Sequence, residues 1–355
     1  MANYTDVDDS SSAFQVKTYS GSNSSNAVTF DGNSNLQPDW LWMKKTNGSA
    51  NHFAYDVIRG ANRSLVPNDT DAQDTSGEST SYLTSFNSNG FTLAGNYDNT
   101  NKSGNSYVAW GWKAGGSPSN NTTGDITASQ SANATAGFSI STFNTNGQSG
   151  TMTCGHGLSS APKMIIVKPY TTSDDWYIYH HSLGNAKYIR LNQTASSTSN
   201  SNTWASTSPT SSVFSMSTNF WGANTNGLIA YCFAEKRGFS SFGSYFGTGA
   251  TDGTFVFCGF KPAWVLCKLT SGSGYGWTLF DNKRAGYNQD NYTLQPDGAA
   301  GQNTSGGNGR IDILSNGFKL RTTDAGINGS GSEYLYMAFA ENPFVTSTGV
   351  PALAR

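Results

Sequence analysis

Charge is what this chain has least of. Asp, Glu, Lys and Arg make up 12% of its 355 residues, about half the roughly 25% usual in soluble domains. The net charge is −2 and Lys and Arg nowhere cluster. That argues against a nucleic-acid partner, because phosphate backbones are held by dense positive charge. Glutamate is scarcer still, occurring only as Glu78, Glu235, Glu333 and Glu341. Glycoside cleavage usually needs two carboxylates flanking one bond, and nothing marks such a pair, Asp174-Asp175 included. No run of about 18 apolar residues occurs, so no membrane-spanning helix is expected. The start, Met1-Ala-Asn-Tyr-Thr-Asp-Val-Asp-Asp9, has neither a basic nor an apolar section, and a signal peptide or membrane anchor is not expected there. Long i, i+3, i+4 apolar stripes are missing, which removes helix-rich folds. Phosphate-loop and nucleophile-elbow patterns are missing too, and Gly-rich stretches such as 301–307 read as loops. The four cysteines, Cys154, Cys232, Cys258 and Cys267, form no C-x-x-C. Two of them sit in apolar strands, so reduced, buried thiols and synthesis in a cytosol are expected.

What is present is aromatic and periodic. Aromatics reach 13% and glycine numbers 40, a composition of β-structure with long polar loops rather than disorder. Tyr334-Leu-Tyr-Met-Ala-Phe-Ala-Glu341 alternates by period two: Leu335, Met337 and Phe339 make a large face, Tyr336, Ala338 and Ala340 a smaller one. The same strand recurs as Leu228–Glu235, with Ile229, Tyr231 and Phe233 against Ala230, Cys232 and Ala234. It recurs again as Tyr107–Trp112, with Val108, Trp110 and Trp112 against Ala109 and Gly111. Three copies mean a threefold internal repeat.

Other stretches recur with it. Pro38-Asp-Trp-Leu-Trp-Met-Lys44, Pro162-Lys-Met-Ile-Ile-Val-Lys168 and Pro262-Ala-Trp-Val-Leu-Cys-Lys268 read as central strands, Pro first and the closing Lys at the emergence into solvent. Aromatic strands follow at 52–55, 176–179 and 277–280, then Asp56-x-x-Arg59 and Asp281-x-x-Arg284, replaced in the second copy by His180-His181. Leu65-Val-Pro-Asn68, Ile189-Arg-Leu-Asn192 and Leu294-Gln-Pro-Asp297 correspond. Asn-Gly hairpin signals stand in Ser88–Leu93 and Ser315–Leu320 but not in the second copy, which reads Ser212-Val-Phe-Ser-Met216. Pro38 and Pro162 are 124 residues apart, Pro162 and Pro262 are 100 apart. The reading is therefore all-β: three tandem β-sandwich repeats of jelly-roll or lectin-like type at 13–113, 137–236 and 237–342. Residues 1–12 are an N-terminal arm, 114–136 a Gly/Ser/Asn/Thr linker and 343–355 a C-terminal tail. The arm and tail lack a core pattern and are expected to need a partner for order. Each repeat can hold its own core. Repeats two and three, joined through Lys236-Arg237, are expected to share a fixed interface while repeat one swings.

Candidate sites are few. The Asp-x-x-Arg pairs read as ion pairs clamping a turn. On an extended chain one of His180 and His181 points in and the other out, so a shared metal is not expected. Asp69-Thr-Asp-Ala-Gln-Asp74 has oxygens at alternate positions but lacks the EF-hand's Gly and Glu. No cofactor is expected, calcium being the one ion the sequence leaves open. Aromatics among Ser, Asn and Gly, namely Trp204, Trp221, Tyr287 and Tyr292, are the candidate ligand-binding residues, since sugar recognition combines aromatic faces with polar orienting groups. The same composition serves a protein contact.

The third repeat carries a specific resemblance. Phe233-Ala-Glu-Lys-Arg-Gly-Phe-Ser-Ser-Phe-Gly-Ser-Tyr245, Pro262-Ala-Trp264, Ser315-Asn-Gly-Phe-Lys-Leu-Arg321 and Met337-Ala-Phe-Ala-Glu-Asn-Pro-Phe-Val-Thr-Ser-Thr-Gly349 resemble a functionally uncharacterised repeat domain in structural proteins of marine tailed bacteriophages. The likeness is strong over residues 137–350 and weaker over 13–113, where Trp110-Gly-Trp112 replaces the usual small residues. It implies a concanavalin-type sandwich and a virion component, made in the bacterial cytoplasm and exposed on the particle, with other virion proteins as partners. It carries over no catalytic residue. The expectation is a phage fibre or appendage protein, not an enzyme, binding host-surface glycan, with a homotrimer expected by analogy alone. A capsid or tail decoration protein and a glycan depolymerase are the alternatives.

Overall fold

Period-two alternation and Asn-Gly turns place the closing strands and two of the hairpins where the structure has them. The structure, a computed structural model, describes residues 4–75, 82–225, 227–272, 274–285, 287–290, 292–305, 310–346 and 348–351. Glu78 and part of the 301–307 stretch lie outside the described residues. Repeat one holds β1 (Phe14–Ser20), β2 (Asn26–Val28), β3 (Trp40–Lys45), β4 (Phe53–Asp56), β5 (Leu83–Asn87), β6 (Gly90–Leu93) and β7 (Ser106–Trp112). Next come β8 (Ser119–Asn121) and β9 (Ala128–Asn133). Repeat two holds β10 (Phe138–Phe143), β11 (Thr151–Gly155), β12 (Met164–Pro169), β13 (Tyr177–His180), β14 (Lys187–Arg190), β15 (Thr198–Ser199), β16 (Val213–Ser217), the short helix α1 (Thr218–Trp221) and β17 (Leu228–Phe233). Repeat three holds β18 (Ser240–Phe246), β19 (Phe255–Phe257), β20 (Phe260–Leu269), β21 (Thr278–Asp281), β22 (Ile311–Leu314), β23 (Gly317–Leu320), α2 (Ala325–Asn328) and β24 (Glu333–Pro343).

One antiparallel order recurs. It is β1-β7-β3-β4, then β10-β17-β12-β13 inside a longer sheet, then β18-β24-β20-β21. The closing strand sits second, flanked on both sides, so its backbone groups pair with neighbouring strands along both edges. A smaller sheet faces each: β2-β6-β5, β11-β16 and β19-β23-β22. Hairpins β5-β6 and β22-β23 form where Asn-Gly stands, and repeat two, lacking it, has β16 alone. The glycines are sterically required. A Cβ on Gly90 would stand 2.0 Å from Val28 O, and one on Gly317 2.0 Å from Val256 O. Register pairs Phe14 with Trp112, Phe138 with Phe233 and Ser240 with Phe339. Ser240, not Phe239, is thus the counterpart of Phe14 and Phe138.

The two faces of the closing strands do different work. Small residues such as Ala109, Ala230 and Cys232 face their own second sheet, in separate cores of repeats one and two. Large residues of all three repeats meet in one shared core. There Trp112 and Phe233 lie 5.6 and 5.9 Å from Phe339, and Trp40 stacks on Tyr231 at 4.7 Å. Repeat one is therefore as firmly seated as the others, which corrects the expectation that it swings.

Hydrogen bonds close the three into a head-to-tail ring. Lys44, Lys168 and Lys268 are buried, not emerging into solvent. Lys44 Nζ donates to Ala299 O of repeat three at 3.2 Å, Lys168 Nζ to Thr70 O of repeat one at 2.9 Å, and Lys268 Nζ to Thr194 O of repeat two at 3.0 Å. Each acceptor lies two residues past the corresponding Asn68, Asn192 or Asp297. The first residues of the aromatic stretches act in the same direction. Trp176 Nε1 donates to Val66 O at 3.0 Å, Trp277 Nε1 to Arg190 O at 2.8 Å and His52 Nε2 to Gln295 O at 3.1 Å. His52 Nδ1 accepts from Trp42 Nε1, which fixes that tautomer.

The segment 114–136 is not a plain linker. Its β9 pairs with β10 and β8 with β9, extending the sheet of repeat two, while Ile126 and Ala128 enter that repeat's core. Small and polar residues give such a strand little intrinsic signal. The described part of the arm is docked: Val7 is in the shared core, and Asp6 N–H and Thr5 Oγ1 donate to Arg237 O.

The buried lysines set a pH dependence. Desolvation pulls Lys44 down to about 7, helped by Lys45 and Arg284, and pulls Lys168 and Lys268 to about 8 against nearby carboxylates. An unfolded lysine titrates near 10.4. Between those values the unfolded chain holds protons the folded chain has released, so stability rises with pH, by at most about 1.4 kcal/mol per pH unit and group. Burial lowers His52, His156 and His180 as well, which adds the same sign at lower pH. Burial raises the four thiols, and unfolded cysteines titrate near ~8.5, so the slope reverses above that. The thermal midpoint is expected to climb by several degrees from about pH 6.5 to about pH 8.5 and then fall. A scan that declines steadily over the first interval would contradict this account.

Candidate functional site

Repeat two carries an aromatic groove that begins in sequence as Ser217-Thr-Asn-Phe-Trp-Gly222. Ser217 caps α1, its Oγ accepting from Asn219 N–H, and Gly222 ends the turn with φ 78°. Trp221 is pinned by Nε1 donating to Thr203 O at 2.8 Å, and Thr225 Oγ1 donates to Trp221 O. Phe220 is thereby held beside Tyr177 of β13. Ring centroids are 5.1 Å apart for Tyr177 and Phe220, and 5.2 Å for Tyr177 and Trp221, both edge-on. The cleft holds about 600 Å³ and is rimmed by Thr171, Thr172, Asp174, Asn224 and Thr225.

Asp174 is fixed there from several directions. Its N–H donates to Thr70 O, its carbonyl accepts from Lys168 Nζ, and Oδ1 accepts from Tyr177 OH at 2.9 Å. Burial, then Asp174, raises the Tyr177 pKa, so the phenol stays a donor. Behind the groove Arg190 lies over the Tyr188 ring at 5.0 Å and pairs with Asp175 at 2.7 Å. Asp175 Oδ1 also accepts from Asn192 and Gln193. The neighbouring carboxylates thus divide: Asp175 is spent on structure, and Asp174 lines the cleft. A fixed acceptor beside apolar ring surface is suited to orient a polyhydroxylated ligand.

The four aromatics singled out from sequence do not converge. Trp204 is buried, Nε1 donating to Lys187 O at 3.0 Å, and packs on Tyr179. Trp221 is buried too, contributing only to the groove wall. Neither offers an open face, because local Ser and Asn context says nothing of tertiary packing. Tyr287 is 80% exposed and Tyr292 half-buried, both in repeat three. Asp174 is weighed from sequence only as half of a catalytic pair, and Tyr177, Phe220 and Asn224 are not singled out, although the capped Ser217–Gly222 turn is the available signal.

Other candidates resolve as structure. Asp56–Arg59 and Asp281–Arg284 are buried ion pairs of 2.6 Å. His180 and His181 both face repeat three, donating to Tyr336 O at 3.3 Å and Phe242 O at 3.0 Å. The expected in-and-out arrangement fails because His181 lies past the end of β13, in a turn. In the Asp69–Asp74 loop, Thr70 O is taken by Lys168, and Gln73 N–H donates to Tyr170 O. Among the described residues no cluster of three metal-ligating side chains occurs, and no helix is long and apolar enough to cross a membrane.

A family model described as a domain of unknown function (DUF7483) matches residues 9–343. No curated protein and no solved structure matches the chain.

Proposed function

The chain belongs to the DUF7483 family, and because that family assigns no activity, we propose from the groove that this is a binding protein for host-surface glycan. The observation that carries the reading is the aromatic cleft of repeat two with Asp174 held at its rim. Apolar sugar faces would lie on Phe220 and the edges of Tyr177 and Trp221, and hydroxyls would donate to Asp174 and meet Asn224. The resemblance of residues 137–350 to structural repeats of marine phages supports placing it on a virion, as a fibre or appendage. Each repeat is then a jelly-roll-like sandwich, a four-stranded order facing a smaller sheet. The role is binding, not catalysis.

Phe220→Ala removes the most exposed ring of the cleft while leaving the shared core intact. On an array of bacterial envelope polysaccharides the wild-type chain is expected to retain a subset. Affinity of the variant should fall about tenfold, roughly 1.4 kcal/mol, with an almost unchanged unfolding midpoint. No retained glycan, together with antibody label over the phage head rather than its fibres, would overturn the reading in favour of capsid decoration. The outward Phe255 and Phe257 of the edge strand β19, 43% and 62% exposed, are what favour that second reading.

A further inference from the structure

The internal repeat supplies its own control for what the fold requires. Register aligns β2, β11 and β19 through Val28–Phe91, Cys154–Phe214 and Val256–Phe318. At the two outward positions repeat one has Ala27 and Thr29, repeat two Thr153 and Gly155, and repeat three Phe255 and Phe257. Those phenylalanines are 43% and 62% exposed. Phe246, at the end of β18, is 62% exposed where the register puts Ser20 in repeat one. Two repeats fold without a large apolar side chain at these outward positions, so the fold does not call for them. β19 is also the edge of its sheet, and an exposed apolar edge is a template for another strand.

Repeat two shows what lies on such an edge. The segment before it runs along β11 in parallel, with Ile126 beside Cys154. Ile126 N–H donates to Thr153 O at 3.0 Å, Asp125 Oδ2 accepts from Thr153 N–H, and Gln130 Nε2 donates to Gly155 O at 2.8 Å. Thr153 and Gly155 are the counterparts of Phe255 and Phe257. Among the described residues no segment pairs with the free side of β19 in this way, and repeat three is joined to repeat two through Lys236-Arg237 without a counterpart of residues 114–136. A cleft of about 600 Å³ opens at the end of β19 beside Phe257, lined by Tyr4, Cys258, Phe344 and Val345.

We propose that β19 is a docking strand for an extended segment of a second polypeptide, which adds in parallel as residues 124–128 add to β11. The arriving strand has apolar side chains on both faces, to lie beside Val256 inside and across Phe255 and Phe257 outside. This interaction is separate from the glycan groove and goes beyond that reading.

The test selects random nonapeptides on beads with the full chain and measures the enriched peptides by fluorescence anisotropy. The comparison variant is Phe255→Ala/Phe257→Thr, which installs repeat one's residues and should unfold as the wild type does. Enriched peptides are expected to carry consecutive apolar residues, to lose at least tenfold in affinity for the variant, and to slow hydrogen exchange at residues 255–257. Glycan retention should be unchanged. If the variant unfolds early, the exchange experiment on the wild type decides alone. No enrichment, binding indifferent to the substitutions, no slowing of exchange, or a wild-type mass that doubles with concentration and reverts in the variant would each overturn the proposal, the last by making the occupant a second copy.

Discussion

Trp112→Ala is expected to destabilise the whole chain in one step, by about 3–5 kcal/mol. The indole is buried and touches rings from two repeats: Phe14 at 4.8 Å and Trp40 at 4.5 Å in its own, Trp264 at 5.7 Å and Phe339 at 5.6 Å in the third. Its removal leaves a cavity walled by strands that are also bonded around the ring, so collapse to fill it is resisted. Typical domains hold only about 5–15 kcal/mol in total, so the loss is a large fraction. Because the large faces of all three repeats share that core, the effect should not stay local. Urea unfolding followed by near-ultraviolet circular dichroism and by hydrogen exchange in repeat two should show one midpoint, moved equally in both. A repeat two that keeps its wild-type midpoint would mean that the sandwiches unfold independently.

Asp56→Ala should cost a similar amount for a different reason. Asp56 is buried, and Oδ2 accepts from Arg59 Nε at 2.7 Å and from Tyr231 OH of repeat two at 3.0 Å. Removing one member of a buried pair leaves the other charge without compensation, typically about 3–5 kcal/mol. Tyr231→Phe deletes only the link between repeats, and about 1 kcal/mol is expected. Urea denaturation of both single variants and the double variant measures the coupling. Additive losses would show that the inter-repeat bond contributes nothing. Asp281 occupies the corresponding place in repeat three and accepts from Trp110 Nε1 of repeat one at 3.2 Å. The second repeat explains itself by the same logic. The residue presented there by repeat three, at the position of Trp110 and Tyr231, is Met337, which has no proton to give. A carboxylate would be unmatched, and no arginine follows three residues on. His180 stands there instead, held neutral by burial and by His181, its pKa pulled down to about 3.

Period two and Asn-Gly turns were enough to read the central strands, closing strands and hairpins, because each rests on backbone geometry a few residues long. They left β8 and β9 unread, and Pro262 lies inside β20 at an irregularity and not at its start. The recurrence of Trp110, Tyr231 and Met337 also told which face was bulky. It could not tell where that face went. Both sides of a closing strand are apolar, and only the tertiary arrangement assigns the small side to the repeat's own second sheet and the large side to its neighbours. Lys44, Lys168 and Lys268 looked like strand ends meeting water. Their acceptors are backbone carbonyls, one in their own repeat and one in another, and carbonyls leave no mark in a sequence. The groove was missed for a related reason. Trp204 and Phe220 stand in similar polar surroundings, yet one is sealed under Tyr179 and the other is propped open by a four-residue helix.

A ring of three separate copies must write every surface feature three times. Here the ring closes within one chain, so the lobes share a scaffold without sharing an exterior. One lobe displays an aromatic cleft and another a bare apolar edge. Substitutions on one outer face leave the other two untouched, provided they spare the lysines, indoles and Asp–Arg pairs between lobes. Selection can therefore edit one contact at a time on a threefold body, and a single chain can meet different neighbours in different directions.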